Sequence, residues 1–240
     1  KMATEFNPED MYADDDMVIT ISHLGYIKRT PLADFRQQGR GGVGAKASAA
    51  RDEDFIEYVH QANMHSTMMF FTEQGRLYWT KVYELPEGNR QSKGRALQNM
   101  INIQKGDKVC AFIHVKNLSD MEYVQNHYLI FATKDGLMKK TTLESYSRPR
   151  ANGIIALGLR EGDRLIRVTL TDGNSQMLVA SYNGKIVRFP EDTVRPMGRT
   201  ATGVRAIKLD EDGQDRVIGM ICVEEGSKES VLVISEKGFG

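Results

Sequence analysis

The chain alternates short apolar runs with polar turns that contain glycine. Five times, an apolar run leads through a polar turn ending in glycine to a second run that is basic or aromatic. Apolar runs of this length between turn residues are typical of β-strands, and glycine permits the positive φ that tight hairpin turns need. The pattern therefore predicts five β-hairpins. Their turn glycines are Gly25, Gly75, Gly136, Gly184 and Gly238, at intervals of 50, 61, 48 and 54 residues.

Two further marks recur between these hairpins. A second glycine follows each of the first four turn glycines after 17 to 19 residues, and an aspartate precedes another apolar run in each unit. Each unit then holds about four strands in about 50 residues, which is the size of a propeller blade. The second glycines are Gly44, Gly94, Gly153 and Gly203, and the aspartates are Asp54, Asp107, Asp163 and Asp215.

These repeats predict a single all-β domain over residues 1–240. A single blade cannot bury both of its faces, so the units are expected to pack radially into a propeller-like ring. No segment shows helical periodicity over three turns, and residues 117–123 are expected to be a loop insertion that explains the longest interval. Four complete units and the start of a fifth suggest a truncated ring. The expected blades lie near residues 17–67, 68–127, 128–176 and 177–229, with 230–240 opening the fifth.

Composition is compatible with a buried core, since 40% of the residues are hydrophobic and 27% are charged. No apolar run is long enough to span a bilayer, and no signal peptide opens the chain. Cys110 and Cys222 each lie inside an apolar run, which favours small core residues of a cytoplasmic protein over a disulfide or a metal site. The chain starts at Lys1 without a methionine, so a fragment of a longer protein is expected.

The net charge of zero conceals a segregation of sign. Residues 28–51, 76–95, 139–150 and 185–208 together hold 21 Lys or Arg and 6 Asp or Glu, and the remaining 160 residues have a net charge of −15. Equivalent segments of a radial repeat occupy equivalent positions, so the basic segments are expected to form one curved track. Such a track suits the phosphates of duplex DNA, whose neutralisation releases counterions without reading sequence. Polar connections of mixed, solvated charge are the simpler alternative.

The densest glycine stretch, residues 38–44, lies in the first basic segment. Glycines let the backbone approach a phosphate closely, and Arg36, Arg40 and Lys46 supply positive charge beside it. The stretch is therefore a candidate clamp on the sugar-phosphate backbone. It is not a P-loop, because the Gly-Lys-Ser/Thr ending is missing.

Several long stretches resemble the C-terminal domain of bacterial DNA gyrase A, and the likeness covers essentially the whole chain. The most specific stretches are residues 75–79 with 82–86, residues 147–150 with 153–156, and residues 189–192 with 194–205. The resemblance implies a six-bladed β-pinwheel, in which neighbouring blades exchange strands, with four and a fraction of the blades present. It also implies sequence-independent binding, bending and wrapping of duplex DNA, which supports ATP-dependent negative supercoiling.

The same resemblance carries expectations about chemistry and partners. The tyrosine that cleaves DNA lies in the N-terminal part of gyrase A, so no catalytic residue, metal or cofactor is expected in this chain. ATP and magnesium would act elsewhere in the enzyme. The expected partners are duplex DNA and, in a heterotetramer, the N-terminal part of gyrase A and the gyrase B polypeptide. The expected location is the cytoplasm, in association with the nucleoid and not with a membrane.

The family's gyrase box is similar to this chain at Gln38, Arg40, Gly41, Gly42 and Gly44. Gly39 and Val43 depart from it, because the family usually has a basic residue at both positions. The degree of match favours gyrase over topoisomerase IV. The predicted anchor on DNA comprises Arg36, Gln38, Arg40, Gly41, Gly42, Gly44 and Lys46. The predicted continuation of the track comprises Lys93, Arg95, Lys139, Lys140, Arg148, Arg150, Arg195, Arg199 and Arg205.

Three alternatives stand beside this interpretation. The chain could be the equivalent domain of topoisomerase IV, or a propeller-type scaffold whose charged rim binds acidic proteins. An enzyme is the least favoured, since the five histidines have no metal-like spacing and the acidic clusters resemble solvated turns. Trp79 is interpreted as a core residue and not as a platform for stacking bases.

Overall fold

The computed structural model describes residues 7–35, 54–89, 91–231 and 234. These residues form fifteen strands, one short α-helix, α1 (Met121–Asn126), and six short 3-10 helices. The strands are β1 (Asp16–Ser22), β2 (Tyr26–Pro31), β3 (Ile56–Asn63), β4 (Thr67–Thr72), β5 (Arg76–Lys81), β6 (Arg95–Ala96), β7 (Val109–Val115), β8 (Tyr128–Thr133), β9 (Leu137–Thr142), β10 (Ile154–Ile155), β11 (Leu165–Thr171), β12 (Ser175–Ser181), β13 (Ile186–Pro190), β14 (Val204–Arg205) and β15 (Val217–Glu224). The 3-10 helices are Pro8–Met11, Leu32–Asp34, Val82–Glu84, Leu97–Asn99, Leu143–Tyr146 and Glu191–Thr193.

The strands form four antiparallel sheets, which we call blades 1 to 4. Blade 1 has the strand order β3-β1-β2-β6, blade 2 has β7-β4-β5-β10, blade 3 has β11-β8-β9-β14, and blade 4 has β15-β12-β13. At the centre of each blade is the predicted hairpin, such as β8 with β9, in which Ala132 pairs with Met138 across the Gly136 turn. The all-β, propeller-like architecture predicted from the repeats is thus confirmed.

One edge of every blade faces the axis of the propeller. Strand β11 packs against both β7 and β15 of the neighbouring blades. A cavity of about 220 Å³ is lined by residues of all four blades, which include Tyr58 of β3, Cys110 of β7, Arg167 of β11 and Ile218 of β15. Strands β3, β7, β11 and β15 are therefore the inner edges, and β6, β10 and β14, at the opposite ends of their sheets, are the outer edges.

The outer strand of each of the first three blades comes from the next unit of the chain. Strand β6 follows β5 in sequence but pairs with β2, so that Arg95 lies opposite Ile27. In the same way β10 pairs with β5, and β14 pairs with β9. This is the strand exchange that the resemblance implies, and it links successive blades covalently.

This exchange explains the three second glycines that the structure describes, Gly94, Gly153 and Gly203. Gly153 has a φ of +68°, and a Cβ placed there would lie 2.6 Å from the carbonyl oxygen of Leu77 in the receiving blade. Gly203 has a φ of +103° and approaches the Met138 carbonyl even more closely. A side chain would be strained by the backbone conformation and would also collide with the receiving strand. The sequence mark is thus the point at which an outer strand enters its neighbour's sheet.

The recurring aspartate holds the hairpin turn of its own blade. In blade 3, Asp163 Oδ1 accepts hydrogen bonds from the backbone N–H groups of Asp135, at 3.0 Å, and Arg164, at 2.8 Å. Asp54, Asp107 and Asp215 make the equivalent pair of bonds in their blades. Each aspartate satisfies a turn N–H that the ladder leaves without a partner, which stabilises the turn.

The core lies between blades and not within one of them. Every residue of β4 is buried, since its two faces pack against different neighbours. Phe70 belongs to the apolar cluster between blades 1 and 2, and Phe71 to the cluster between blades 2 and 3. A third cluster, which includes Ile130 and Met177, joins blades 3 and 4. Packing on both faces explains why the central strands are continuous apolar runs in sequence.

The loop insertion expected at residues 117–123 is a loop only as far as Asp120. Helix α1 begins within it, and the side chain of Asp120 caps the helix by accepting a hydrogen bond from the Tyr123 N–H at 3.1 Å. At six residues the helix is too short to show a period, so the sequence pattern did not predict it. The expected opening of a fifth unit, residues 230–240, lies almost entirely outside the described residues.

Candidate nucleic-acid interface

Three stretches that contain a second glycine lie at the outer edge of successive blades. We name them outer segment 1 (residues 91–96), outer segment 2 (residues 148–155) and outer segment 3 (residues 195–205). They include β6, β10 and β14, respectively, each of which is an outer strand. The topology thus places, at the outer edge of successive blades, basic stretches that are about 40 or more positions apart in the chain.

The predicted anchor cannot be placed in the same way. Its members Arg36, Gln38, Arg40, Gly41, Gly42, Gly44 and Lys46 all lie outside the described residues. Their role on DNA therefore stays a prediction from sequence.

Five of the predicted track arginines are exposed in the outer segments. Within the part of the chain that the structure describes, the recorded ion pairs include none of these five guanidinium groups. Their charge is therefore not neutralised by a carboxylate of the described residues and is available to an external anion. The five are Arg95, Arg148, Arg150, Arg195 and Arg205.

Contacts between neighbouring blades make outer segments 2 and 3 continuous. Arg199 is half-buried, and its guanidinium donates a hydrogen bond to the Ile155 carbonyl at the end of outer segment 2. Close by, the Gly158 N–H donates to the Ala201 carbonyl at 3.1 Å. The Arg199 guanidinium therefore links outer segments 2 and 3, and part of its hydrogen-bonding capacity is used within the protein.

Lys93 in outer segment 1 is held by an aromatic ring. Its ammonium lies 3.9 Å from the centroid of the Tyr26 ring, a cation–π contact to the strand beside it. The side chain is half-buried, so the contact orients the ammonium at the outer edge without removing it from solvent.

Two predicted track residues are not on the surface. Lys139 is fully buried, and its ammonium donates hydrogen bonds to the Ala156 carbonyl at 2.6 Å, to the Tyr146 hydroxyl at 3.2 Å and to the Arg199 carbonyl. Burial, with a smaller contribution from the positive charge of Arg199, lowers the pKa of Lys139 from 10.5 to about 7. The prediction that this lysine contacts DNA is therefore corrected: its donors are used inside the protein.

Lys140 is also buried, and it pairs with an acidic residue of the next unit. Its ammonium lies 3.3 Å from a carboxylate oxygen of Glu191, whose side chain is fully buried. The same carboxylate accepts hydrogen bonds from the Ser175 N–H at 3.1 Å and from the Thr171 hydroxyl. Lys140 is thus neutralised internally and, contrary to the prediction, does not extend the track.

Blade 1 repeats this arrangement with Lys28 and Arg29, which the sequence analysis included only in the positive charge of residues 28–51. The ammonium of Lys28, three residues after its turn glycine like Lys139, donates to the carbonyls of Asn89 at 2.9 Å and Ser92 at 2.8 Å. Arg29, the counterpart of Lys140, pairs with Glu87 at 3.2 Å. Alignment of the units on their turn glycines would have shown that these positions recur, but not that they are buried.

Trp79 is the counterpart of Arg29 and Lys140 in blade 2, since it also lies four residues after its turn glycine. It packs against the core, as expected from its context. It is half-buried, packs against the cluster between blades 2 and 3, and donates from Nε1 to the Tyr146 carbonyl at 3.0 Å.

None of the described helices is long and apolar enough to cross a bilayer. Among the same residues, no group of three or more His, Cys, Asp or Glu side chains is arranged to hold a metal ion.

Comparison with solved structures defines the class of protein. The crystal structure of the C-terminal domain of DNA topoisomerase IV superposes with a TM-score of 0.72 at 27% identity, covering 89% of this chain and 62% of that one. A DNA gyrase A C-terminal domain gives a TM-score of 0.67 at 22% identity, covering 88% and 66%, a likeness of fold alone. The fold is that of the propeller-like C-terminal domains of these two topoisomerases.

Sequence comparison identifies the family within that class. A family model described as "DNA gyrase C-terminal domain, beta-propeller" matches residues 16–63, 66–116, 127–172 and 176–224. The DNA gyrase A polypeptide of Salmonella typhimurium (strain LT2) is 43% identical over 238 residues, which is 99% of this chain and 26% of that protein. The Haemophilus influenzae protein is 46% identical over 201 residues, 84% of this chain and 22% of that protein. The chain belongs to the DNA gyrase A C-terminal domain family and spans about a quarter of the length of these relatives.

Proposed function

We propose that this chain binds duplex DNA along the outer edge of its blades and bends the DNA around the propeller. The observation that carries the proposal is that three outer segments with exposed arginines lie at the same edge of successive blades. Guanidinium groups spaced along a curved edge can contact successive phosphates without reading the bases, so the binding is expected to be independent of sequence.

A distributed edge suits the energetics of bending. Bending a site of about 20–30 bp by about 40–90° costs roughly 1–6 kcal/mol, so a wrap requires contacts along the whole curved path. Blade-to-blade contacts such as Arg199 with Ile155 fix neighbouring outer segments relative to each other. A rigid edge of this kind offsets each increment of bending with further phosphate contacts.

In this proposal the domain does not catalyse a reaction. It wraps DNA for an ATP-dependent topoisomerase that introduces negative supercoils, with DNA cleavage and ATP hydrolysis performed elsewhere in a heterotetramer that contains gyrase B. The cytoplasm, close to the nucleoid, is the corresponding location. This role is supported by membership of the gyrase family and by the exposed basic edge.

The salt dependence of binding tests the outer edge. We expect a triple substitution, Arg95→Ala with Arg150→Ala and Arg205→Ala, to reduce the slope of log affinity against log salt by about 2.7, because each lost phosphate contact removes about 0.9. The matched control removes three exposed lysines from outside the outer segments, Lys105, Lys108 and Lys116. Binding of random-sequence duplex would be measured at several salt concentrations for both variants.

Two outcomes would contradict the proposal. If the control changes the slope as much as the triple variant, net charge and not the outer edge determines binding. If the unaltered domain shows no salt-dependent binding of DNA, a protein-binding scaffold becomes the better interpretation.

The role in supercoiling is tested in the reconstituted enzyme, with relaxed plasmid for the supercoiling reaction and negatively supercoiled plasmid for the relaxation reaction. We expect Arg40→Ala with Lys46→Ala to reduce the rate of negative supercoiling while ATP-independent relaxation continues, since only the wrap is lost. Unchanged supercoiling by this variant would show that residues 36–46 are not the anchor.

A further inference from the structure

Lys139 lies where two units of the chain meet. The Ala156 carbonyl directly follows β10, the strand that enters blade 2, and Tyr146 follows β9, the strand of blade 3 that contains Lys139. The carbonyl of Arg199 belongs to outer segment 3. An ammonium group has three N–H donors, and these three oxygen atoms provide one acceptor for each.

Within the described part of the chain, the groups that face this lysine are mainly aromatic rings and carbonyl oxygens. Phe131 of β8 presents its ring 4.8 Å from the ammonium, and the neighbouring Tyr146 hydroxyl donates its own proton to the Ala156 carbonyl at 2.7 Å. Among the described residues, Arg199 is the charged side chain that acts on Lys139, and its positive charge lowers the pKa of the lysine. Lys140, the next residue of β9, points to the other face of the strand, where Glu191 neutralises it.

The charge state of Lys139 affects how firmly outer segment 3 is held. The ammonium form satisfies all three oxygen acceptors, whereas a neutral amine has only two donors and turns a lone pair toward the third acceptor. Because the pKa of Lys139 is lowered to about 7, the free domain contains both forms near neutral pH. A negative charge brought close to Arg199 would shift that balance toward the ammonium form.

We propose that Lys139 is a positioning residue that takes up a proton when DNA binds to outer segment 3. The inference rests on the proposed function and adds a regulation to it. A phosphate next to Arg199 neutralises the charge that opposes protonation and adds a favourable negative potential. The protonated lysine then holds the Arg199 carbonyl with its full set of donors and fixes outer segment 3 against outer segment 2.

The linkage has a definite sign. Since binding favours the protonated form, affinity for DNA falls as the pH rises above that at which the free domain loses this proton. Uptake of up to about one proton corresponds to a loss of up to about tenfold in affinity per pH unit. Direct phosphate contacts by arginine do not give this dependence, because arginine stays charged throughout.

Calorimetry of DNA binding measures the proton directly. Titrations of the domain with random-sequence duplex, in two buffers of different ionisation enthalpy between about pH 7 and 9, give the number of protons taken up. We expect uptake of a measurable fraction of a proton for the unaltered domain and none for Lys139→Met, which retains the volume of the side chain. Lys116→Met removes an exposed lysine after β7 and serves as the matched control, with uptake unchanged.

A second variant keeps the test decisive if Lys139→Met does not fold. Arg199→Gln removes the charge that opposes protonation in the free domain, so proton uptake on binding is expected to fall. Equal uptake by the unaltered domain and by whichever of these variants folds would overturn the inference while DNA binding stands. Absence of salt-dependent binding of duplex by the unaltered domain in a gel-shift titration would instead refute the proposed function, and the inference with it.

Discussion

Removal of the Glu191 carboxylate is expected to destabilise the protein strongly. The Lys140 side chain is only 5% exposed and the Glu191 side chain is 0% exposed, with 3.3 Å between the charged atoms. Glu191→Ala would leave the ammonium buried without its counterion and would deprive the Ser175 N–H of its acceptor. Breaking a buried pair by removal of one partner costs about 3–5 kcal/mol, mainly because the remaining charge is uncompensated.

For a chain of this length, a loss of that size lowers the melting temperature by roughly 6–20 °C. The free energy of unfolding would be measured in urea by circular dichroism, with fluorescence of the single tryptophan, Trp79, as a second probe. Arg164→Met is the control. It removes an ion pair with Glu73 whose charged atoms are 3.9 Å apart and whose side chains are 49% and 36% exposed, and it is expected to cost less than about 1 kcal/mol.

A double-mutant cycle separates the ion pair from the loss of packing. Lys140→Met and Glu191→Gln each break the pair but keep the shape of the site, and the glutamine can still accept from Ser175. We expect the double variant to be more stable than the sum of the single effects predicts, by about 2 kcal/mol or more. Additive effects within about 0.5 kcal/mol would refute the reasoning, because they would show that the two groups do not interact as charges.

Three further predictions concern strand exchange, turns and pH. Gly203→Ala is expected to cost at least about 2 kcal/mol in urea unfolding through its positive φ and its collision with a strand carbonyl, whereas Gly198→Ala, in open space, should have little effect. Asp163→Ala should cost about 1 kcal/mol and speed amide hydrogen exchange in the β8–β9 turn; unchanged exchange there would contradict the capping role. Burial lowers the pKa values of His60 and His114 below 6.5. On acidification these two histidines therefore bind protons in the unfolded chain before they do in the folded protein, and the free energy of unfolding should fall as the pH drops below about 6.5. Glutamine at both positions should flatten this acid limb of the stability profile.

The repeat was accessible to sequence reasoning because it depends on local requirements. A tight turn needs a residue that tolerates positive φ, so Gly75 and Gly136 mark hairpins wherever their partners lie. Central strands buried on two faces must be apolar throughout, which makes runs such as β4 visible in the sequence. The fold class and the family could therefore be predicted from spacing and from long matching stretches.

The burial of individual charges was not accessible in this way. Lys139 and Arg150 both lie in a basic segment, yet one is enclosed and the other exposed. The difference arises because outer segment 3, which belongs to the next unit, packs on β9 and covers Lys139. The residues next to Lys139 in sequence do not indicate this contact. For the same reason the sequence showed that the second glycine recurs but not why. The reason is the close approach of a carbonyl of a strand in another unit, which leaves no room for a side chain.

The amino-acid sequence by itself determined where the chain turns, which runs are strands and how positive charge is distributed among the units. These properties depend on backbone sterics and on composition, which act over a few residues. Only the tertiary structure decided which edge of each blade faces outward and which basic side chains remain there. That outcome depends on strand exchange between units, because an ammonium group is buried or exposed according to what a distant segment places over it.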